Sequence, residues 1–380
     1  MKILKRFKHF GARIILAALF LLPLIAAFTS PAAADDDENS PGAVYTITNA
    51  ASGNEVVVYE RSANGSLSFQ AAYSTGGLGS GAGLGSQEAV ALSTNDRWLF
   101  AVNAGSNQVS VFAVKEHRLK LIEVVDSGGI MPISLTSHDG LLYVLNTGGN
   151  GNISGFAIDQ DGSLSPLAGS IQPLSNGGTG ASPGPAQVSF SPDGDMLVVT
   201  EKATNLIDTY EVNDGVAGPP VTHPSAGVTP FGFAFGRRDH LIVSEAFGGA
   251  AGASAMSSYK VDNDELEVIS PSVATTQTAA CWVVISKNGK YAYTTNTGSG
   301  SISSYRIEKN GAITLLDAQA GLTGDGSRPI DMALSNNGRY LYALGAGSHT
   351  ISIFRVKEDG SLVALGNVSV PAGAVGLAAR

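Results

Sequence analysis

The sequence predicts an all-β ring: a seven-bladed β-propeller with four antiparallel strands per blade and a C-terminal strand closing the first blade. Three observations predict it. One strand–turn–strand phrase recurs along most of the 380 residues. It occurs seven times, at a mean spacing near 49 residues. Its first copy begins without an opening strand, and the C-terminus carries a segment that would supply one.

Each repeat opens with a strand that ends in a turn, as in "ALSTNDRW", "LTSHDGLL", "SFSPDGDM", "VISKNGKY" and "ALSNNGRY". An apolar second strand follows and stops at a polar or small residue: "WLFAVN", "LLYVLN", "MLVVTE", "LIVSE", "YAYTTN", "YLYALG". The closing residues are Asn49, Asn103, Asn146, Glu201, Glu245, Asn296 and Gly345, spaced 54, 43, 55, 44, 51 and 49 apart. A third strand comes next ("QVSVFAV", "LIDTYEV", "SISSYRI", "TISIFRV"), then a turn and a weaker fourth ("EKNGAITLL", "KEDGSLVAL"). Asn-Gly and Asp-Gly at the turns tolerate the positive φ that tight hairpins need. Such a four-stranded unit cannot bury both faces alone, whereas seven around an axis bury one another's. The first copy starts at "GAVYTITN", residues 42–49, already a second strand, and "PAGAVGLAAR", residues 371–380, reads as its missing inner strand.

Ahead of the ring, residues 1–34 read as a secretory signal. Lys2, Lys5, Arg6, Lys8 and Arg13 precede an apolar run at 14–28, and "PAAA" offers a small-residue cleavage site before "DDDE". The alternative is an uncleaved anchor. A linker at 35–41 leads to the propeller at 42–380, so a periplasmic or extracellular location is expected, with no membrane span after cleavage. The chain carries a net charge of −9, and loss of the signal would leave 18 basic against 32 acidic residues. That balance argues against nucleic acid as a partner, which needs basic patches.

Propeller geometry sorts the loops. The tight 1–2 and 3–4 turns share one face, and the 2–3 loops and inter-blade links share the other. The long irregular stretches, such as "STGGLGSGAGLGSQ" and "SNGGTGASPGP", all fall on the second face, where binding is expected. "GLGSGAGLG" has no strand–turn–helix context and no closing Lys-Ser/Thr, so it reads as a link and not a phosphate cradle. "DQDGS", residues 159–163, stands where other repeats carry hairpin turns and reads as one. Cys281, the single cysteine, reads as a buried small hydrophobe. The histidines show no metal-ligand spacing, and no cofactor motif occurs, so neither metal nor cofactor is expected.

"PAQVSFSPDGDMLVVTEKATNLIDTYEV" and "RPIDMALSNNGRYLYALGAGSHTISIFRV" resemble the lactonase-type seven-bladed propellers with YVTN-type repeats. That family includes propeller-type 6-phosphogluconolactonases and carboxymuconate lactonizing enzymes. The resemblance implies a Glu/Arg site at the channel mouth, with Glu245, Glu201 and Arg328 as catalytic candidates. Glu245 matches the family's Asn-Glu position, Glu201 replaces its Asp, and Arg328 is kept in "SRPID". Both family histidines are lost: Pro185-Ala186-Gln187 stands for Pro-His, and Pro230-Phe231-Gly232 for Pro-Arg-His. Lys202, Gln187, Trp282 and Asp331 are candidate substrate-binding residues: Lys202 as a cation, Trp282 as a stacking face, and Gln187 and Asp331 at one shared inner-strand position.

Without the histidines the usual proton carrier is missing. The expected function is therefore a binding scaffold, probing a small lactone, glycan or protein through the loop-rich face, as a monomer. The alternative is a lactone hydrolase or cycloisomerase of the 6-phosphogluconolactonase type.

Overall fold

A computed structural model describes residues 42–116, 118–262 and 265–380. The expected signal at 1–34, the linker at 35–41 and His117 lie outside the described residues. The described chain forms seven antiparallel sheets. Second strands lie where the repeat places them: Trp98–Asn103, Leu141–Asn146, Met196–Glu201, His240–Glu245, Tyr291–Asn296 and Tyr340–Gly345. In blade 1 the strand is shorter than expected, Gly42–Ile47, and Asn49 stands beyond it at φ 50°. Asn54 takes over there, donating from Nδ2 to the Val102 carbonyl and to Asn103 Oδ1.

The inner strands line the axis: Pro132–His138, Pro185–Phe190, Pro230–Phe235, Ala280–Ile285 and Pro329–Leu334 in blades 3 to 7. Proline suits the first position of such a strand, where no ladder donor is required. The C-terminal strand Val375–Ala379 pairs with Gly42–Ile47 and completes blade 1. Mutual bonds between Ala43 and Arg380 (3.2 and 2.9 Å) and from Thr46 Oγ1 to the Val375 carbonyl (3.1 Å) hold it. This strand packs on the inner strands of blades 7 and 2, which closes the ring. Fourth strands are broken in blades 3 and 4, into Leu164–Pro166 with Gln172–Pro173 and Val216–Ala217 with Val221–Pro224. Prolines within these stretches remove ladder donors.

Buried tyrosines join the blades. Each ring fills the inter-blade layer, and its hydroxyl finds a neighbour's main chain. Tyr59 donates to Ser369, Tyr143 to Gly215, Tyr210 to Pro173, Tyr293 to Gly360, Tyr305 to Val273 and Tyr342 to Gly65, all at 2.8–3.1 Å. The turn glycines serve the same seam. Gly162, at φ +92°, lies so close to the next blade that a Cβ would stand 2.5 Å from the Trp98 ring. The expected turn at residues 159–163 is present: the Gly162 N–H donates to Asp159 (2.9 Å), and the Asp159 N–H to Ser163 (2.9 Å).

Candidate active site

In blades 2 to 6 the second strand ends in a buried polar side chain that reaches across to the third strand and to the incoming link. Asn103 donates to Ser110 (2.7 Å) and accepts from Thr75 (2.7 Å); Asn296 donates to Ser303 (2.9 Å). Glu201 and Glu245 hold this same place in blades 4 and 5, and both are 0% exposed. Glu201 accepts the Ser175 N–H (3.0 Å), the Ser175 hydroxyl (2.5 Å) and the Thr204 hydroxyl (2.5 Å). Its neighbour Asp208 is pushed up to about 9, by burial first and by Glu201 second. Glu245 accepts the hydroxyls of Ser257 and Ser272, the latter at 2.6 Å. Burial raises its carboxyl, and those hydroxyls pull it partly back. Arg328 is exposed, at φ 49° just ahead of the blade 7 inner strand. No hydrogen bond or ion pair among the described residues joins it to either glutamate.

Gln187 and Asp331 do share an inner-strand position, each paired one residue before the end of the second strand, opposite Thr200 and Leu344. Both line a channel cavity of about 510 Å³. Asp331 is 1% exposed. Its Oδ1 accepts the Met332 N–H (2.8 Å), the Leu377 N–H also acts on the carboxyl, and Oδ2 is buried without a well-formed hydrogen bond. Lys202 and Trp282 do not line this cavity. The Lys202 ammonium donates to the carbonyls of Gly85 and Pro185 (3.0 Å to the latter) and lies 4.9 Å from the Phe231 ring centre. Burial lowers it to about 8. Phe231 packs on Trp282 at 5.3 Å, and the Trp282 Nε1 is buried without a partner. Cys281 is buried as expected, its thiol pushed up to about 11 by burial.

Blade 2 departs from the pattern, and the departure makes the cavity. Its inner strand is only Val90–Leu92. Before it, Glu88 takes φ 63°, and the chain leaves the sheet. Gln87 then spans the channel. Its N–H donates to Ala186 of blade 4 (3.1 Å), and its side-chain amide holds both main-chain groups of Val283 in blade 6 (3.2 Å each). Gly232 of blade 5 leaves room for it, since a Cβ there would lie 2.3 Å from Gln87 Oε1. A histidine at that position, as the resemblance led one to expect, would occupy the space Gln87 fills. Gln187 clamps Phe233 in the same bidentate way (2.7 and 3.1 Å).

Glu88 shares the cavity with Asp331. Its Oε2 is buried without a partner. Burial pushes its carboxyl up to about 8, with a Gln187 hydrogen bond opposing the shift. Burial raises Asp331 well above the usual range, and Glu88 adds to it. Glu88 and Gln87 are absent from the sequence-derived candidates. The available signal was compositional: blade 2 has "SQEAV" where blades 3, 4, 5 and 7 have proline.

A seven-bladed propeller with an acidic, half-closed axial cavity is the class of protein that fold and site define. A family profile, "Lactonase, 7-bladed beta-propeller", matches residues 42–176 and 261–375, and the chain belongs to that family. The unmatched stretch holds blades 4 and 5, with Glu201, Lys202, Gly232 and Glu245. Among solved structures, the chain is similar to the periplasmic gluconolactonase PpgL of Pseudomonas aeruginosa (18% identity, 89% of this chain and 98% of that one, TM-score 0.69). It is also similar to a candidate 6-phosphogluconolactonase of Bacteroides fragilis (20%, 88% and 97%, 0.67). A Lactobacillus plantarum protein shows the same likeness (15%, 89% and 98%, 0.70). At these identities the likeness is one of fold. No curated protein matches the sequence.

Proposed function

We propose that this protein hydrolyses a lactone ring in the axial cavity, with Glu88 and Asp331 as the acid–base pair. One observation carries the reading: Glu88 and Asp331 both line a cavity of about 510 Å³, and one carboxyl oxygen of each, Glu88 Oε2 and Asp331 Oδ2, is buried without a partner. Buried polar groups are ordinarily satisfied, and unsatisfied ones concentrate at functional sites. Family membership supports hydrolysis over the scaffold reading, because the channel holds a substitute for the lost histidines.

The two carboxyls would divide the work by their environments. Ionised Glu88 takes a proton from water as its oxygen attacks the lactone carbonyl carbon. Protonated Asp331 donates to the carbonyl oxygen, then gives its proton to the ring oxygen as the C–O bond breaks. The product is the open hydroxy acid, and the proton on Glu88 returns to Asp331 through solvent. Glu201 and Glu245, already occupied by hydroxyls, hold blades 4 and 5 together in this scheme, and Arg328 lies outside it.

A pH-stat assay over a panel of four- to seven-membered lactones tests the proposal. The rate is expected to climb as Glu88 ionises near pH 8, and Glu88→Gln is expected to flatten that rise. No turnover above buffer on any lactone would refute hydrolysis.

A further inference from the structure

The cavity's hydrogen-bonding inventory and its open end narrow the ligand, given the hydrolytic reading above. Of its polar side chains, the Gln87 amide is spent on the main chain of Val283, and Gln187 on the main chain of Phe233 and on the Glu88 carboxyl. Ser189 donates, at 3.4 Å, to the Phe190 carbonyl. What remains is one oxygen each on Glu88 and Asp331. Two such groups serve a single ester and its attacking water. They leave no further side chain for the several hydroxyls of a sugar, which would have to be met by main-chain groups at the strand edges or be buried unpaired at a cost.

Charge narrows it further. Among the described residues no lysine, arginine or histidine lines the cavity, and its two ionisable side chains are both acids. A phosphate or carboxylate brought here would be desolvated opposite carboxyls with no cation to answer it. Lys202, held by Gly85 and Pro185, lies outside the lining.

The walls and the entrance complete the argument. Gln87 crosses the end of the channel nearer the loop-rich face. From there toward the tight-turn face the walls become apolar, with Leu92, Phe190, Phe235, Ile285 and Leu334. These are last or near-last residues of inner strands, beside the 1–2 turns.

We infer that the ligand is an uncharged lactone with an apolar body, entering from the tight-turn face with its ester innermost and its alkyl or aryl portion toward the exit. Phosphorylated and polyhydroxylated sugar lactones are poor ligands on this account. This differs from what the names of the structural neighbours describe for those proteins.

The test uses the full-length protein and two readouts. Turnover is compared for an alkyl-substituted δ-lactone, gluconolactone and 6-phosphogluconolactone. Binding of the corresponding alkyl δ-lactam, which resists hydrolysis, is measured by calorimetry. The alkyl lactone should exceed the phosphorylated one in kcat/KM by about 100-fold or more, the scale on which an apolar pocket rejects an added polar group. Ala234→Trp, which fills the tight-turn half, should abolish lactam binding. Ala234→Ile should weaken it with a native melting curve, and Val228→Ser on the loop-rich face should leave it unchanged. Equal or better turnover of 6-phosphogluconolactone would overturn the ligand class while sparing hydrolysis. Lactam binding with no lactone turned over would uphold the class and refute hydrolysis. Binding lost in Val228→Ser but kept in Ala234→Trp would overturn the proposed entrance.

Discussion

Two pairs of buried carboxyls separate structural from chemical use of the same side chain. Glu201 and Glu245 close second strands in blades 4 and 5, and the hydroxyls of Ser175, Thr204, Ser257 and Ser272 are turned toward them. Glu88 and Asp331 sit on the axial cavity, each with an oxygen that nothing satisfies. Glu201, Glu245 and Asp331 are buried and Glu88 is half-buried, so burial alone does not separate the pairs. Unspent hydrogen-bonding capacity on the axial cavity does: Asp208, beside Glu201, also has both oxygens without partners, but it does not line that cavity. A carboxylate whose lone pairs are filled by hydroxyls is a cross-link, whereas one left open to a cavity can meet a substrate.

The comparison can be broken at several points. The largest effect is expected outside both pairs, as a check that the ring is the frame for each. Deleting residues 371–380 removes the strand Val375–Ala379 and exposes the edge of blade 1. A fall of more than about 10 °C in melting temperature is expected, given that a few kcal/mol moves a domain of this size by that order. An unchanged melting curve would remove the clasp.

Next come the cross-links. Glu245→Ala leaves the Ser257 and Ser272 hydroxyls and the space of a side chain behind. It should cost about 2–4 kcal/mol by urea denaturation. Asp331→Asn removes a buried acid that has no cation, and should leave stability level or higher. The reverse ranking would undo the distinction between the pairs.

A third effect is a pH dependence. Glu88 in the folded protein titrates near 8, above its ordinary value of 4.5. Between those values the unfolded chain has released a proton that the native state still holds, so stability falls as pH rises. The loss begins above about 4.5 and levels off above about 8. Glu88→Gln should therefore gain on the wild type in melting temperature across that window, and hold a constant advantage above it. A constant difference from pH 4 to 9 would contradict the burial of this carboxyl.

The smallest effect concerns the crossing segment. Lys202→Met frees Gly85 from its ammonium. Amide exchange at residues 84–87 should quicken by about tenfold, equivalent to losing one charge-assisted bond of modest worth, while global stability barely changes.

Much of this molecule was legible in the sequence because packing repeats itself. The apolar words "WLFAVN" and "YLYALG" mark second strands to the residue, since alternate blades impose the same burial on them. The C-terminal closure was legible because a ring with an unpaired edge demands a strand. Gln187 and Asp331 were legible as a shared register position. The rest was not, for a reason of direction. Polar residues ending a strand look like a binding rim, and the sequence does not say that serines 26 or 27 residues away fold over them. Gln87 and Glu88 followed a glycine-rich link, and only the missing proline hinted that blade 2 abandons its strand early. Gly232 had read as a loss. In the structure it is the opening through which Gln87 reaches Val283.

The decisive comparison is lactone hydrolysis by Asp331→Asn and Glu245→Gln, assayed side by side on protein shown by its melting curve to be folded. Catalysis in the axial cavity predicts that Asp331→Asn loses at least about 100-fold in kcat, as expected for removing a proton donor, while Glu245→Gln stays within about threefold of the wild type. Loss in Glu245→Gln with full activity in Asp331→Asn would return the chemistry to the ends of the second strands.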